Sequence, residues 1–226
     1  MRIIARIHTD FATKFGIPRQ SGLVEELKGR IIFEEEYRSP EAVRGLEAFS
    51  HIWLLWEFSK AVRDEWSPTV RPPKLGGNTR MGVFATRSPF RPNPIGLSCV
   101  KLEKIEYSKD AGPILHVCGA DLMDNTPIYD IKPYLPYADC REDATGGFTD
   151  KLVVNRLKVE VPTELFTKVS VEKREALVKI LEQDPRPSYQ EDTDRVYGFV
   201  FADYEIKFQV KDNILTVIDV EKMEEK

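Results

Sequence analysis

The sequence has 226 residues, of which 42% are hydrophobic and 31% charged, with a formal net charge of −4. This length suits one medium-sized domain, or a domain with a small appendage, and it can bury a core without disulfide bonds. No apolar run approaches the roughly 18 residues that span a bilayer, which excludes a membrane-helix protein. The start lacks a basic-then-apolar signal pattern, so we expect a cytoplasmic protein.

Cysteines and histidines are few and scattered. Cys99, Cys118 and Cys140 form no CxxC pair, and the first two lie in strand-like apolar runs. This distribution is typical of reduced thiols packed in a core. The three histidines do not have the spacing of zinc ligands, so we predict no structural metal.

The first 140 residues predict many strands and few helices. A helix is predicted from Ser39, because Ser-Pro-Glu is a strong helix start and Val43, Leu46 and Phe49 recur at helical spacing. The apolar run HIWLLWEF is expected to be a strand buried on both faces. The other strands are predicted at Arg2–Thr9, within Gly29–Tyr37, and at Gly82–Thr86, Ile95–Tyr107 with a bulge near Cys99–Val100, Ile114–Met123 and Ile128–Leu135.

The sequence character changes after Cys140, where an acidic stretch predicts a link. Beyond it, the pattern predicts a strand at Lys151–Val161, an amphipathic helix at Val171–Gln183 and three strands with a tight turn at Asp212–Asn213. We therefore predict a mainly β domain at 1–145, a barrel or curled sheet, and a small α+β domain at 155–226. There is no GxGxxG motif, so a nucleotide-like ligand would not be bound by a Rossmann arrangement.

Charge is unevenly distributed along the chain. The stretch Pro68–Lys104 has seven basic residues and one acid, whereas from Lys158 onward 16 acids face 11 bases. A basic tract in an acidic protein could attract a polyanion such as RNA. An ordinary solvated loop explains the same charges equally well.

The segment TRSPFRPNPIGL has three prolines within six residues. Each proline fixes its own φ and restricts the residue before it, so Arg87, Arg91 and Asn93 are held in place. Pre-organised arginines suit a carboxylate or phosphate ligand, since binding then costs less entropy. The alternative is a stiff connector between two strands.

A second polar segment, DLMDNTPIYDIKPY, closes one strand and opens the next. Its carboxylates suit a ligand with hydroxyls or an amine. Turn chemistry explains Asp124 and Asn125 well, but it explains Asp130 and Lys132 on an apolar stretch less well.

Four blocks in order, GIPRQSGLV, FSHIWLLWEF, GVFATRSPFRPNPIGLS and DLMDNTPIYDIKPYLPYAD, resemble the TsaA-like (TrmO) family of S-adenosylmethionine-dependent tRNA methyltransferases. DPRPSY and YGFVFADYEIKFQV resemble the C-terminal domain of its bacterial members. The resemblance covers nearly the whole chain. It implies a single-sheet β-barrel, a homodimer with the cofactor near the interface, and methylation at N6 of N6-threonylcarbamoyladenosine at position 37 of tRNA.

Carried over residue by residue, the resemblance also implies a site. The expected contacts to the cofactor S-adenosylmethionine are Pro18, Arg19, Gln20, Ser59, Lys60, Arg87, Leu97, Asp121, Leu122, Met123, Asp124 and Thr126. Ser59 and Lys60 depart from the histidine that many members have nearby. Asn125 stands where glycine is common, and asparagine tolerates a positive φ. The expected substrate contacts are Phe90, Arg91, Asn93, Lys132 and Tyr134.

The target nitrogen adjoins a carbonyl and is a weak nucleophile. A carboxylate acting as a base typically contributes about 10²–10⁴-fold, and Asp124 and Asp130 are the predicted candidates. Phe90 is predicted either to stack on a base or to plug the barrel. The C-terminal domain is expected to recognise tRNA shape or to support the dimer. Two alternatives stay open: a methyltransferase acting on a small molecule, and a non-catalytic RNA- or nucleotide-binding module.

Overall fold

The computed structural model describes residues 1–62, 65–75, 78–151, 156–186 and 192–223. In chain order, the strands and helices are β1 (Ala5–Thr9), β2 (Lys28–Phe33), β3 (His51–Glu57), β4 (Thr69–Val70), β5 (Met81–Gly82), β6 (Ile95–Ser108), β7 (Gly112–Cys118), β8 (Thr126–Pro133), α1 (Pro136–Asp139), β9 (Lys158–Glu160), α2 (Thr163–Phe166), α3 (Val171–Glu182), β10 (Tyr197–Phe201), β11 (Tyr204–Lys211) and β12 (Ile214–Lys222). Short 3₁₀ helices lie at Glu35–Tyr37, Pro40–Val43, Leu46–Ala48, Pro73–Leu75, Val83–Ala85 and Gly147–Lys151.

Six strands close into a barrel in the order β1-β2-β7-β6-β3-β8. Every neighbouring pair is antiparallel, and the predicted β-barrel is confirmed. In β3 the buried Ile52, Leu54 and Trp56 alternate with partly exposed neighbours. The prediction that this strand is buried on both faces was therefore wrong. An antiparallel barrel strand turns one face to the interior and the other outward.

The C-terminal region forms a second sheet in the order β10-β11-β12-β9. β9 is parallel to β12, and the other pairs are antiparallel. The helix α3 buries Ala176, Leu177, Ile180 and Leu181. The predicted small α+β unit is confirmed, and the turn at Asp212 (φ 49°) and Asn213 (φ 63°) has the two positive φ values of a type I′ hairpin.

The buried apolar side chains of the described residues form two hydrophobic cores. One fills the barrel and is built from residues such as Ile7, Ile31 and Leu115. The other lies against the C-terminal sheet, but it includes Phe11 and Val24 from the connection between β1 and β2. The N-terminal connection thus packs with residues almost 200 positions away in sequence.

Four local predictions need correction. The strand predicted at Gly82–Thr86 is wrong, because β5 ends at Gly82 and Val83–Ala85 form a 3₁₀ helix. The helix expected from Ser39 is wrong: two 3₁₀ helices occupy the region, and Gly45 between them has φ 84°, which a continuing helix cannot accommodate. The bulge in β6 lies between Leu102 and Lys104, further along than expected. The strand predicted at Lys151–Val161 is confined to β9, and residues 152–155 lie outside the described ranges.

None of the helices among the described residues combines the length and apolar character needed to cross a membrane. Cys99 lies in β6 and Cys118 in β7, and all three thiols are free. Among the described residues, no three His, Cys, Asp or Glu side chains converge as a metal site requires. The last three residues of DPRPSY lie beyond the described ranges.

Candidate active site

A cleft of about 480 Å³ opens beside β3 and β6. This volume is within the range of small-molecule and cofactor sites. Two loops, residues 14–20 and residues 86–91, supply its walls, and the strands β3 and β6 supply its floor. The lining residues are Lys14, Ile17, Pro18, Arg19, Gln20, Trp56, Glu57, Phe58, Ser59, Lys60, Ala61, Thr86, Arg87, Pro89, Arg91, Ile95, Gly96, Leu97, Asp121, Met123 and Thr126.

The first wall, residues 14–20, reaches across the cleft through side chains. Lys14 Nζ donates a hydrogen bond to the Lys60 carbonyl at 2.7 Å. Arg87, on the opposite wall, donates through Nη1 to Gln20 Oε1. The two loops are therefore joined by a direct side-chain hydrogen bond.

The second wall is stiffened from within. Arg91 Nη1 donates to the carbonyl oxygens of Thr86 at 2.7 Å, Val83 at 3.3 Å and Ser88 at 3.4 Å. These bonds turn the guanidinium into a clamp on its own loop, in addition to the three prolines. Arg91 thus holds the wall in shape while it also lines the cleft.

The floor contains a buried polar relay. Trp56 Nε1 donates to Ser98 Oγ at 2.9 Å, and Ser98 Oγ donates to Asp121 Oδ1 at 2.6 Å. Burial raises the pKa of Asp121, opposed by the Ser98 hydrogen bond, backbone hydrogen bonds and the charge of Arg87. A cationic ligand in the cleft would stabilise this carboxylate in its ionised form.

Gly96 lets the indole of Trp56 close onto the strand beside it. A Cβ atom at this position would lie 2.2 Å from Trp56 Cε2. Any side chain larger than hydrogen would therefore push the indole away from Ser98. This glycine of the RPNPIG block has a packing role in shaping the cleft floor.

Most of the predicted cofactor residues meet in this cleft. Pro18, Arg19, Gln20, Ser59, Lys60, Arg87, Leu97, Asp121, Met123 and Thr126 all line it, and so does the predicted substrate residue Arg91. The pairing of β3 with β6 and with β8 brings three of the four blocks together, and the Arg87–Gln20 hydrogen bond joins the first block to them. Leu122 is adjacent to the cleft, but its side chain is buried in the barrel core.

The two predicted catalytic acids lie outside the lining of the cleft. Asp124 Oδ1 accepts a hydrogen bond from the Thr9 amide at 3.1 Å and lies 3.2 Å from His8 Nδ1. Asp130 Oδ2 pairs with Lys132 Nζ at 2.8 Å. Both carboxylates thus have local partners on the barrel. Asn125, between them, has φ 60°, as predicted for the residue replacing glycine.

The remaining predicted substrate residues also fall outside the lining. Lys132 faces Trp53 across the β3–β8 pair, and the ring centroids of Tyr134 and Trp53 are 5.8 Å apart. Phe90 is partly buried and Asn93 is exposed, both on the proline-rich loop. Lys132 and Tyr134 therefore lie beside Trp53, outside the cleft, whereas Phe90 and Asn93 lie on the loop that forms its second wall.

Among the residues of the cleft and its floor that were not predicted from the sequence, Glu57, Trp56 and Ser98 take part in polar interactions. Glu57 lines the cleft, and its hydrogen bond adds to burial in raising the pKa of the Tyr129 phenol. Trp56 and Ser98 form the relay to Asp121. The signals were a lone acid ending an apolar strand and a lone serine inside one, both of which call for a polar partner.

Comparison with known proteins agrees with this arrangement of blocks. Residues 6–140 match the family model for the tRNA-methyltransferase O N-terminal domain, and residues 155–223 match that for the TrmO C-terminal domain. The chain belongs to the tRNA-methyltransferase O family. The two matches together account for most of the chain, so membership does not rest on one motif.

Two curated relatives and a solved structure resemble the chain over nearly its whole length. The tRNA (adenine(37)-N6)-methyltransferase of Escherichia coli is 42% identical over 217 residues, covering 92% of each chain. A putative S-adenosylmethionine-dependent methyltransferase of Pseudomonas aeruginosa is 38% identical, covering 96% of this chain and 95% of the relative. The crystal structure of TrmO from Pseudomonas aeruginosa superposes with a TM-score of 0.78 at 33% identity, covering 97% of both.

Proposed function

We propose that this chain transfers a methyl group from S-adenosylmethionine to N6 of N6-threonylcarbamoyladenosine at position 37 of tRNA. The observation that carries the proposal is the cleft in which ten of the twelve expected cofactor residues meet. Family membership and the activity named for the Escherichia coli relative support the same reaction.

The chemistry of the cleft suits S-adenosylmethionine. The cofactor has an adenine ring, ribose hydroxyls, a carboxylate and two cationic centres, and it supplies an electrophilic methyl group. Apolar side chains such as Ile17, Phe58 and Leu97 would contact the ring, while Asp121 would stabilise positive charge. Arg87 offers planar donors for the carboxylate.

The main task of the protein residues in this reaction is positioning. Holding two reactants in line can lower a barrier by about 7–11 kcal/mol. The joined walls, through Arg87 and Gln20, and the self-clamped Arg91 hold the cleft in one shape before any ligand enters. Such pre-organisation reduces the entropy that binding must cost.

We propose that a carboxylate assists removal of the N6 proton. Asp124 and Asp130 stay candidates, and Glu57 and Asp121 join them because they line the cleft. The raised pKa of Asp121 favours a base, since a proton acceptor works best when its pKa approaches the working pH. Turnover at saturating cofactor separates them, measured for the variants Asp121→Asn, Glu57→Gln, Asp124→Asn and Asp130→Asn. A variant with wild-type turnover excludes the replaced residue as the base.

Charge in and around the cleft supports an RNA substrate. The lining has five bases, Lys14, Arg19, Lys60, Arg87 and Arg91, against the two acids Glu57 and Asp121. This local excess opposes the net −4 of the whole chain and would attract the phosphates of an anticodon loop. Phe90, Asn93, Lys132 and Tyr134 stay proposed substrate contacts, and a cytoplasmic location stays part of the proposal.

We propose a homodimer with the cleft near its interface. Val62, Trp66 and Phe84 are 59%, 50% and 72% exposed, and the rings of the last two stack at 6.1 Å. Such a group of exposed apolar side chains is typical of a protein–protein surface. Sedimentation of the wild type should give a dimer, and Trp66→Glu with Phe84→Glu should give a monomer; a monomeric wild type would refute it.

The reaction is tested by nucleoside mass spectrometry. The protein is incubated with S-adenosylmethionine and tRNA that either has or lacks the threonylcarbamoyl group. Methyl gain only on the modified tRNA is the expected result. No gain on either tRNA, despite cofactor binding, would favour a small-molecule substrate, and no cofactor binding would favour a non-catalytic RNA-binding module.

A further inference from the structure

The connection between β1 and β2 leaves the barrel and enters the C-terminal core. Phe11, Val24 and Leu27 are 1%, 1% and 3% exposed, and all three belong to the cluster centred on the C-terminal sheet. Phe15 and Ile17 are partly buried against the same cluster. Residues 14–20, which form the first wall of the cleft, therefore lie between anchors in that core.

The start of this connection is tied to the C-terminal unit by polar contacts as well. Lys173 Nζ on α3 donates to Asp10 Oδ2 at 2.5 Å, and the Ala202 amide donates to the Asp10 carbonyl at 2.7 Å. The rings of Phe11 and Phe201 lie 5.6 Å apart. Helix α3 and the β10–β11 turn thus hold the point where the chain departs from the barrel.

Hydrogen bonds tie this connection to the barrel chiefly near its two ends. The Asp124 amide donates to the Phe11 carbonyl at 2.7 Å, and the Gly22 amide donates to the Gly119 carbonyl at 2.9 Å. Between these points, the side chains of Lys14 and Gln20 reach the opposite side of the cleft. Packing of Phe15 and Ile17 on the C-terminal core therefore supports the backbone between these points.

The Phe199 ring packs closely against the backbone at Gly16. Gly16 has φ 93°, and a Cβ atom there would lie 2.4 Å from Phe199 Cδ2. The Phe199 ring also packs edge-on against Phe15 at 6.3 Å and against Phe208 at 6.1 Å. Phe199 is only 3% exposed, so its ring is held within the C-terminal sheet. It supports Phe15 and Gly16, which directly precede Ile17 and Pro18 in the cleft wall.

We propose that Phe199 is a positioning residue for the cofactor-binding loop, so that the C-terminal unit holds one wall of the active site, residues 14–20, in place. The proposal rests on the proposed function in taking the ligand of that wall to be S-adenosylmethionine. The C-terminal sheet thereby acts on cofactor binding through Gly16, without lining the cleft itself.

The test compares Phe199→Ala with Leu215→Ala in the full chain. Leu215 is fully buried in the same core on β12, which β11 separates from β10. Both variants remove a large side chain from one core, but only Phe199→Ala removes the ring beneath Gly16. Phe199→Leu restores much of the apolar volume and serves as the conservative variant.

Two readouts are measured at a temperature where all variants are folded. Hydrogen exchange of residues 12–20 in the free protein should rise at least about tenfold in Phe199→Ala and stay near wild type in Leu215→Ala. The Kd and KM for S-adenosylmethionine should rise about tenfold in Phe199→Ala, with a smaller fall in kcat, and less than about twofold in Leu215→Ala. Phe199→Leu should fall between.

Equal exchange and equal cofactor affinity in Phe199→Ala and Leu215→Ala would overturn the proposal, because the ring would then only contribute to core stability. If the wild type binds no S-adenosylmethionine, the proposed function fails, yet the exchange of residues 12–20 still decides whether Phe199 holds this loop. The two failures are therefore distinct.

Discussion

The two walls of the cleft are held by different means. Residues 86–91 are stiffened locally, by prolines and by the three carbonyl groups that Arg91 clamps. Residues 14–20 are positioned by a sheet at the other end of the sequence, through Phe199 and Gly16. One wall can be recognised in the sequence within a dozen residues, whereas the other depends on a contact across about 180 residues.

The difference explains why the barrel and the C-terminal unit are hard to treat as separate domains. The predicted boundary between residues 145 and 155 stays a prediction, and the two family matches leave residues 141–154 between them. Yet Phe11, Val24 and Leu27 lie in the core of the C-terminal sheet. Removal of the C-terminal unit would expose these apolar side chains on the connection that also forms the first wall of the cleft.

The largest expected effect comes from adding a side chain at Gly16, in the wall formed by residues 14–20. Gly16→Ala introduces a Cβ atom against Phe199 in a backbone with positive φ, and it should lower the free energy of unfolding by about 2–4 kcal/mol. Gly22→Ala is the matched control, since Gly22 also has positive φ (76°) but nothing lies within 4 Å of its added Cβ. It should cost about 1–2 kcal/mol.

Urea denaturation of both variants measures the difference. A gap between them isolates the steric contact with Phe199 from the backbone cost that they share. Equal losses of unfolding free energy in the two variants would mean that the Phe199 ring moves aside easily. Its contact would then not fix the position of residues 14–20.

Next in size is the link between the walls. Arg87→Ala removes the hydrogen bond to Gln20 and the positive charge that opposes the raised pKa of Asp121. Because a hydrogen bond to a charged group is worth about 1.5–3 kcal/mol, cofactor affinity should fall about 10- to 100-fold. Calorimetric titration measures it, with Arg87→Lys as the control that keeps the charge and loses the planar fork. Wild-type affinity in Arg87→Ala would show that neither function is needed.

A smaller effect is expected from Asp121, which lies between the walls. Cofactor affinity should decrease as pH falls through the raised pKa of Asp121, because the protonated carboxyl no longer attracts a cationic ligand. Asp121→Asn should bind about tenfold more weakly at neutral pH, a loss of about 1.4 kcal/mol, and show no such decrease. Titrations between pH 5 and 8 test this, and parallel curves for both proteins would contradict it.

The same carboxyl has an effect of opposite sign on folding. Since its pKa is raised in the folded state, its contribution to stability is fully present below the pKa of the unfolded chain and is lost as pH rises through the folded pKa. Asp121→Asn should therefore raise Tm at neutral pH while it weakens cofactor binding. Such a trade is typical of a buried charge kept for function.

The same contrast between local and remote causes decides what could be predicted from the sequence. The hairpin at Asp212–Asn213 and the tolerance of Asn125 for positive φ depend on neighbouring residues, and both were predicted correctly. The barrel and the gathering of the cofactor blocks followed from the family resemblance. The Trp56–Ser98–Asp121 relay could not be predicted, because strand pairing brings its members together from three parts of the chain.

The helix predicted from Ser39 failed for a related reason. The start signals at Ser39 and Pro40 do begin a helical turn, but it is a short 3₁₀ helix. Gly45 interrupts the apolar spacing with a left-handed conformation. The placement of Asp130 beside Lys132, away from the cleft, likewise depends on the face that β8 presents in the closed barrel. Periodicity in sequence identifies faces, but closure of the sheet decides what each face meets.

The smallest expected effects come from loosening the local wall. Pro92→Ala and Pro94→Ala should each lower stability by about 0.4–1 kcal/mol, since the unfolded chain gains freedom, and together they should weaken cofactor binding a few-fold. Pro136→Ala, at the start of α1, is the control that should reduce stability without changing the affinity. Combined with Phe199→Ala, the double proline variant should show additive losses of binding energy if each wall is held independently. A smaller combined loss would mean that Arg87 and Gln20 make the two walls one unit, so that stiffness encoded locally in one is transmitted to the other.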